Sequence, residues 1–151
     1  MSDRSLRAAL VALCLAGVGV SAYVLTTRWT HSDLICSTGG CETVQSSDYA
    51  EFLGVPVAAL GLAGYLVLGA LALATAPLAR VLVASLALAA TAFSAYLLVV
   101  QLTVIHAVCD WCLASDAISS LVAIVAIVRL LQPEGYALPS ASSSSSPSPS
   151  A

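Results

Sequence analysis

The 151 residues carry five basic against eight acidic side chains, a formal charge of −3, with 60% hydrophobic and only 9% charged residues. Soluble domains run about 25% charged, so polar groups are too few here to cover a water-facing globule, and the mean hydropathy of +0.99 agrees. All five basic residues are arginines and they form no cluster, which leaves nothing to neutralise nucleic-acid phosphates; nucleic acid is excluded as a partner, and a small integral membrane protein with five cysteines remains.

The stretch between Arg7 and Arg28 holds no charge. About 20 residues at about 1.5 Å each match a hydrocarbon core of about 30 Å, so a first membrane-spanning helix is predicted. A cleaved signal peptide is the competing reading, since Arg4 and Arg7 precede an apolar run, but the run exceeds the usual apolar region of about 7–15 residues. Cys14 inside it reads as buried packing.

A polar segment follows, in which Cys36 and Cys41 enclose Ser-Thr-Gly-Gly. Gly39 and Gly40 let the chain turn as tightly as a disulfide requires. So short a loop gains only about 2 kcal/mol from chain entropy, which makes a poor staple, whereas an accessible glycine-rich disulfide is a good target for an incoming thiolate. Further on, Asp48 and Glu51 have capping-box spacing, and Gly54 with Pro56 ends the segment. These signals predict a short helix across the mouth of the bundle, with Ser46 and Ser47 at its start in a capping or ligand-binding role.

Residues 57–75 form the second predicted span, opened by Pro56 and closed by Pro77. The third covers 81–105, joined to the second by a short turn around Pro77 and Arg80, so the two are antiparallel neighbours. The fourth, 113–131, counts Asp116 and Arg129 inside its ends. Cys109-Asp-Trp-Cys112 stands at its start, where the free amides and dipole of a helix N-terminus favour a thiolate. Cys112, Ser115, Asp116 and Ser119 follow an i, i+3, i+4, i+7 pattern and share one face, expected to look into the bundle. Asp116 is either a functional acid within the outer leaflet or a residue near enough to the interface to reach water. His106 either exchanges protons with the thiols or is an interfacial histidine. Residues 132–151 are Ser/Pro-rich and read as a disordered tail after a single membrane domain, 1–131.

The fold class expected is thus an all-α integral membrane protein, a four-transmembrane-helix bundle with a long outer loop containing a short helix. Arg4, Arg7, Arg80 and Arg129 fall on one face of the membrane and Arg28 alone on the other. The positive-inside rule makes the four-arginine face, with both termini, cytoplasmic. The other face holds Cys36, Cys41, Cys109 and Cys112, in a compartment where disulfides persist. Three uses of these cysteines stay open on the residues alone: thiol-disulfide exchange, structural disulfides, and a metal site with C-x4-C and C-x2-C spacing.

The order Cys36-x4-Cys41, then Val44, Ser47, Gly54 and Pro56 leading into a span, then Cys109-x-Trp-Cys112 opening the fourth span, resembles the vitamin K epoxide reductase family, in particular its bacterial members. The resemblance covers residues 6–131 and implies a quinone-reducing enzyme that forms disulfides in a bacterial inner membrane. Cys36 and Cys41 would take electrons from a secreted or periplasmic thiol protein. Cys41 would pass them to Cys109, and Cys112 would face the quinone. Ser47 matches the family's loop serine or threonine beside that site, and Ser115 and Asp116 join it as quinone-binding candidates. Vertebrate members carry a tyrosine four positions after the second CxxC cysteine, where this chain has Asp116. Many bacterial members carry a fused thioredoxin-like domain; its absence here implies a separate thioredoxin-fold, DsbA-like partner. There is no glycine-rich dinucleotide fingerprint and no soluble domain to hold a flavin, so NAD, flavin and metal are not expected. The acceptor expected is a ubiquinone- or menaquinone-type molecule in a pocket between helices.

Overall fold

The computed structural model describes residues 2–132. The chain forms α1 (Asp3–Thr30), α2 (Cys41–Gln45), a 3-10 turn (Asp48–Ala50), the two-residue strands β1 (Glu51–Phe52) and β2 (Val55–Pro56), α3 (Val57–Leu73), α4 (Pro77–Val100) with a π-helical turn (Gln101–Ile105), and α5 (Asp110–Leu131). Three helices are long and apolar enough to cross a membrane: α1, α4 with its π turn, and α5. The shorter apolar helix α3 has 17 residues. Apart from Gln132, the tail expected to be disordered lies outside the described residues.

The packing suits a lipid surround, with small residues inside and large apolar ones outside. Leu10, Cys14, Leu68, Ala72, Val83, Ala87, Val122 and Ala126 belong to one buried cluster, while Leu15, Leu66, Leu88 and Ile124 are exposed. Glycines set how closely α1 and α3 approach. A Cβ on Gly17 would sit 2.6 Å from the Tyr65 ring, and one on Gly69 would sit 3.3 Å from the Cys14 Cβ. Tyr65 in turn donates to the Ser115 carbonyl at 2.9 Å, which ties α3 to α5. Cys14 is buried packing, as its surroundings in the sequence suggest.

Helix ends depart from the expected boundaries for identifiable reasons. Pro77 occupies the first turn of α4, so the helix begins there and not at Val81, and Arg80 lies inside it, buried. Cys109 takes the N-cap position of α5, so Asp110, Trp111 and Cys112 are already helical. The expected short helix forms only as the 3-10 turn Asp48–Ala50, with Ser47 at its N-cap, and the loop's α-helix is α2, before it. Helix α2 starts at Cys41, with Gly40 as its N-cap, and the Asp48 and Glu51 capping box does not form. Glu51 instead pairs with Arg28 at 2.6 Å. Leu53 (φ 54°) and Gly54 (φ 79°) turn the chain through a two-residue hairpin loop between β1 and β2, a turn that needs positive φ at both central positions.

Four arginines do gather at one end of the bundle, but most are not simply solvated there. Arg129 is 1% exposed; it donates to Asp3 Oδ1 at 2.9 Å and to the carbonyls of Ala72 and Ala74 at 3.2 and 3.3 Å. Arg7 donates to the Ala72 and Leu73 carbonyls, and Arg80 lies 3.4 Å from the same Asp3 oxygen. Seventeen residues rise only about 25 Å, short of a hydrocarbon core of about 30 Å. The free carbonyls at the end of α3 are met by guanidinium groups instead of water. Arg129→Leu is therefore expected to cost about 2–4 kcal/mol, read as a lower thermal midpoint in detergent, while Arg4→Leu on the exposed face leaves the midpoint within a degree or two.

Candidate functional site

At the opposite end of the bundle, the turn of residues 36–41 docks on the segment that leads into α5. Cys36 and Cys41 are disulfide-bonded, with Cα atoms 6.0 Å apart. Gly39 has φ 72°, and Gly40 lies so close to Val108 that a Cβ would meet its carbonyl oxygen at 2.5 Å. Both glycines are thus required, the first by conformation and the second by contact. Thr38 Oγ1 donates to the Val108 carbonyl at 2.7 Å. The Asp110 carboxylate accepts from the amides of Ser37 at 2.6 Å and Thr38 at 3.3 Å. One Asp110 oxygen and the two disulfide sulfurs all lie within 4.8 Å of one another.

Docking places the two cysteine pairs side by side in an ordered way. Cys41 (1% exposed) and Cys109 (0%) are buried in one apolar cluster with Val44. Cys36 is only partly buried, so an incoming group meets its sulfur first. Cys109 and Cys112 are free thiols. The Cys109 amide donates to Gln101 Oε1 at 3.0 Å, and Gln45 Nε2 donates to Cys112 Sγ at 3.8 Å. The hydrogen bond from the Cys112 thiol, helped by the first amides of α5, holds the Cys109 thiol below the usual cysteine range, against the burial that pushes it up.

Cys112 also lines a cavity of about 400 Å³ enclosed by α1, α3, α4, α5 and the loop. Ser47, Ser115, Asp116 and Ser119 line it too, so the face of α5 read from helical spacing does look inward. The Ser47 hydroxyl donates to the Val44 carbonyl at 2.6 Å, and Ser115 is engaged by Tyr65. Asp116 Oδ2 is buried with no hydrogen-bond partner among the described residues. His106 is exposed and its Nδ1 lies 3.1 Å from the Val104 carbonyl, which favours the interfacial reading over proton exchange with the thiols.

Asp110, Gln101 and Gln45 were not singled out from sequence. Gln101 did leave a signal, as the single amide side chain in the apolar stretch 81–105. Asp110 leaves none, since the two amides it accepts from lie 73 and 72 residues away. The geometry brings together a partly exposed disulfide, a buried cluster that holds Cys41 beside Cys109, and the Cys112 thiol on the wall of an apolar cavity. The sequence model of the Vitamin K epoxide reductase family matches residues 8–127, a stretch that contains both cysteine pairs. With that match over most of its length, the chain belongs to the vitamin K epoxide reductase family, membrane redox enzymes that work through a cysteine pair.

Proposed function

We propose that this protein is a four-span thiol oxidase of a bacterial inner membrane, with both termini cytoplasmic, that carries electrons from a thioredoxin-fold thiol protein to a membrane quinone. The observation that carries the reading is the placement of the four cysteines. Cys36 is reachable from outside, Cys41 and Cys109 share one apolar cluster, and Cys112 borders the cavity. Helix α3, though 17 residues long, completes the fourth span because arginines cap its short end.

The thiol chemistry balances in two exchanges. A partner thiolate attacks Cys36, the Cys36–Cys41 bond breaks, and Cys41 leaves as a thiolate. The partner's second thiolate then attacks the mixed disulfide, which frees Cys36 and leaves the partner oxidised. In the second exchange Cys41 attacks Cys109 of an oxidised Cys109–Cys112 pair and releases Cys112. Cys36 then attacks Cys41, restoring the outer disulfide and leaving Cys109 and Cys112 as a dithiol. The Asp110 clamp on Ser37 and Thr38 holds the two pairs in register for this exchange.

The cavity fits a quinone ring by volume and by its mostly apolar wall, with Ser47, Ser115 and Asp116 as the polar groups that would hold the ring. A quinone bound there supplies a two-electron, two-proton acceptor for the Cys109/Cys112 dithiol. Asp116 in its acid form offers an O–H from a carboxyl whose Oδ2 is not committed to any described residue. A metal-handling reading would rest on the Cys36, Cys41 and Asp110 donors; it requires the disulfide to be open, and copurification of one equivalent of zinc or copper, lost with these cysteines, would support it instead.

The deciding experiment is quinone reduction by the purified protein in detergent, driven by a reduced thioredoxin-fold donor. A donor whose second active-site cysteine is replaced by serine can open the Cys36–Cys41 bond but cannot complete the second attack, so its mixed disulfide with Cys36 accumulates on a non-reducing gel, and it disappears in the Cys36→Ser, Cys41→Ser double variant. Cys109→Ala and Cys112→Ala abolish turnover; wild-type rates in both would sink the electron path. Asp116→Asn slows quinone reduction by about tenfold or more, within the span of general acid catalysis, while the donor still reduces Cys36 and Cys41 at the normal rate. Asp110→Ala releases the outer turn and slows transfer from Cys41 to Cys109 by about tenfold, whereas Asp110→Asn, which keeps an acceptor oxygen for the Ser37 amide, recovers much of the rate.

A further inference from the structure

The residue before Cys36 is built as a presented side chain. Residues 32–36 run without helix or strand between α1 and the disulfide turn. At Ile35 both main-chain polar groups are held by side chains of the bundle. Its carbonyl accepts from Trp111 Nε1 at 2.8 Å, and its amide lies 3.5 Å from Tyr23 Oη. The Tyr23 and Trp111 rings pack with centroids 4.5 Å apart, so both anchors belong to one aromatic platform joining α1 and α5. Leu34, on one side, packs into the Cys41 and Cys109 cluster. The Ile35 side chain points away and is 80% exposed.

An isolated exposed isoleucine would call for no explanation, but this one is fixed in place next to the accessible sulfur. Successive residues of an extended chain are only about 3.4 Å apart. A protein-sized group that bonds to Cys36 therefore lies against Ile35 as well. Its neighbours His31, Ser32, Asp33, Ser37 and Thr38 are polar and exposed, which sets the segment on the aqueous side and not against lipid tails.

We infer that Ile35 is the apolar anchor by which the electron donor docks, filling a hydrophobic depression beside the reactive cysteine of a thioredoxin-fold protein. This inference rests on the thiol-oxidase reading above and adds the surface that selects the donor. It separates recognition from chemistry. A protein donor uses Ile35, whereas a small dithiol has no depression to fill and reaches Cys36 without it.

The test uses the full-length protein in detergent, a short-chain ubiquinone as acceptor and two donors, a reduced DsbA-like protein and dithiothreitol. Ile35→Asp should raise KM for the protein donor about tenfold, as loss of one buried aliphatic side chain implies, with kcat within about twofold. Dithiothreitol-driven turnover should stay at the wild-type rate, and Ile35→Leu should restore the protein-donor KM. An unchanged protein-donor KM in Ile35→Asp overturns the inference. So does an equal loss with dithiothreitol, which would assign Ile35 to the fold or to seating in the membrane. If the wild type turns over with dithiothreitol but with no thioredoxin-fold donor, the docking inference fails alone. If it turns over with neither, the thiol-oxidase reading fails and the inference falls with it.

Discussion

The contact between the Gly39-Gly40 turn and the Val108 backbone is the constraint on which the rest of the redox end depends. Backbone can approach backbone that closely only where a Cβ is missing, and at Gly40 a Cβ would stand 2.5 Å from the Val108 oxygen. Once that approach is made, Thr38 can reach the Val108 carbonyl and Asp110 can take two amides from the turn. Cys41 is then pressed into the same cluster as Cys109. None of these hydrogen bonds is exceptional, each worth on the order of 1 kcal/mol. Their effect is geometric, because together they hold two sulfur pairs from distant parts of the chain in one place.

The other end of the bundle solves a different problem with the same economy of polar groups. Helix α3 ends on free carbonyls inside the bundle, and Arg7 and Arg129 complete them while Asp3 balances the charge. Guanidinium suits this because it offers several donors in a fixed plane and stays charged. It also explains the absence of lysine from the chain better than charge alone would, since a point ammonium could not bridge Asp3 and two separate carbonyls as Arg129 does. The bundle is thereby pinned at both ends by polar contacts while its middle packs through glycine and alanine.

What was legible in the sequence was whatever depends on local order. Runs of apolar residues gave four helices, and the i, i+3, i+4, i+7 spacing of Cys112, Ser115, Asp116 and Ser119 correctly placed them on one inward face. The C-x4-C and C-x2-C motifs gave the ordered cysteines. What was not legible arises from pairings across the fold. Glu51 looked like half of a capping box, but a charged partner on α1 took it. The loop helix starts at Cys41 because the disulfide and Gly40 fix the chain there. Arg129 read as an interfacial charge, since nothing nearby in sequence shows that the end of α3 lies beside it. Gln101 belongs to the same class. The π turn adds a residue to the last turn of α4, and such a bulge re-aims side chains; there the Gln101 amide oxygen holds the N-cap residue of α5.

The burial of Cys41 and Cys109 also bears on leakage. A path of electrons along the four sulfurs, as proposed, would need insulation, and packing supplies it: Cys41 and Cys109 are sealed by Val44 and its neighbours. Of the four sulfur-bearing residues, Cys41 and Cys109 are closed to solutes such as peroxide or glutathione, while Cys36 and Cys112 are partly exposed. Oxidation by such solutes should therefore reach Cys36 or Cys112 before it reaches Cys41 or Cys109.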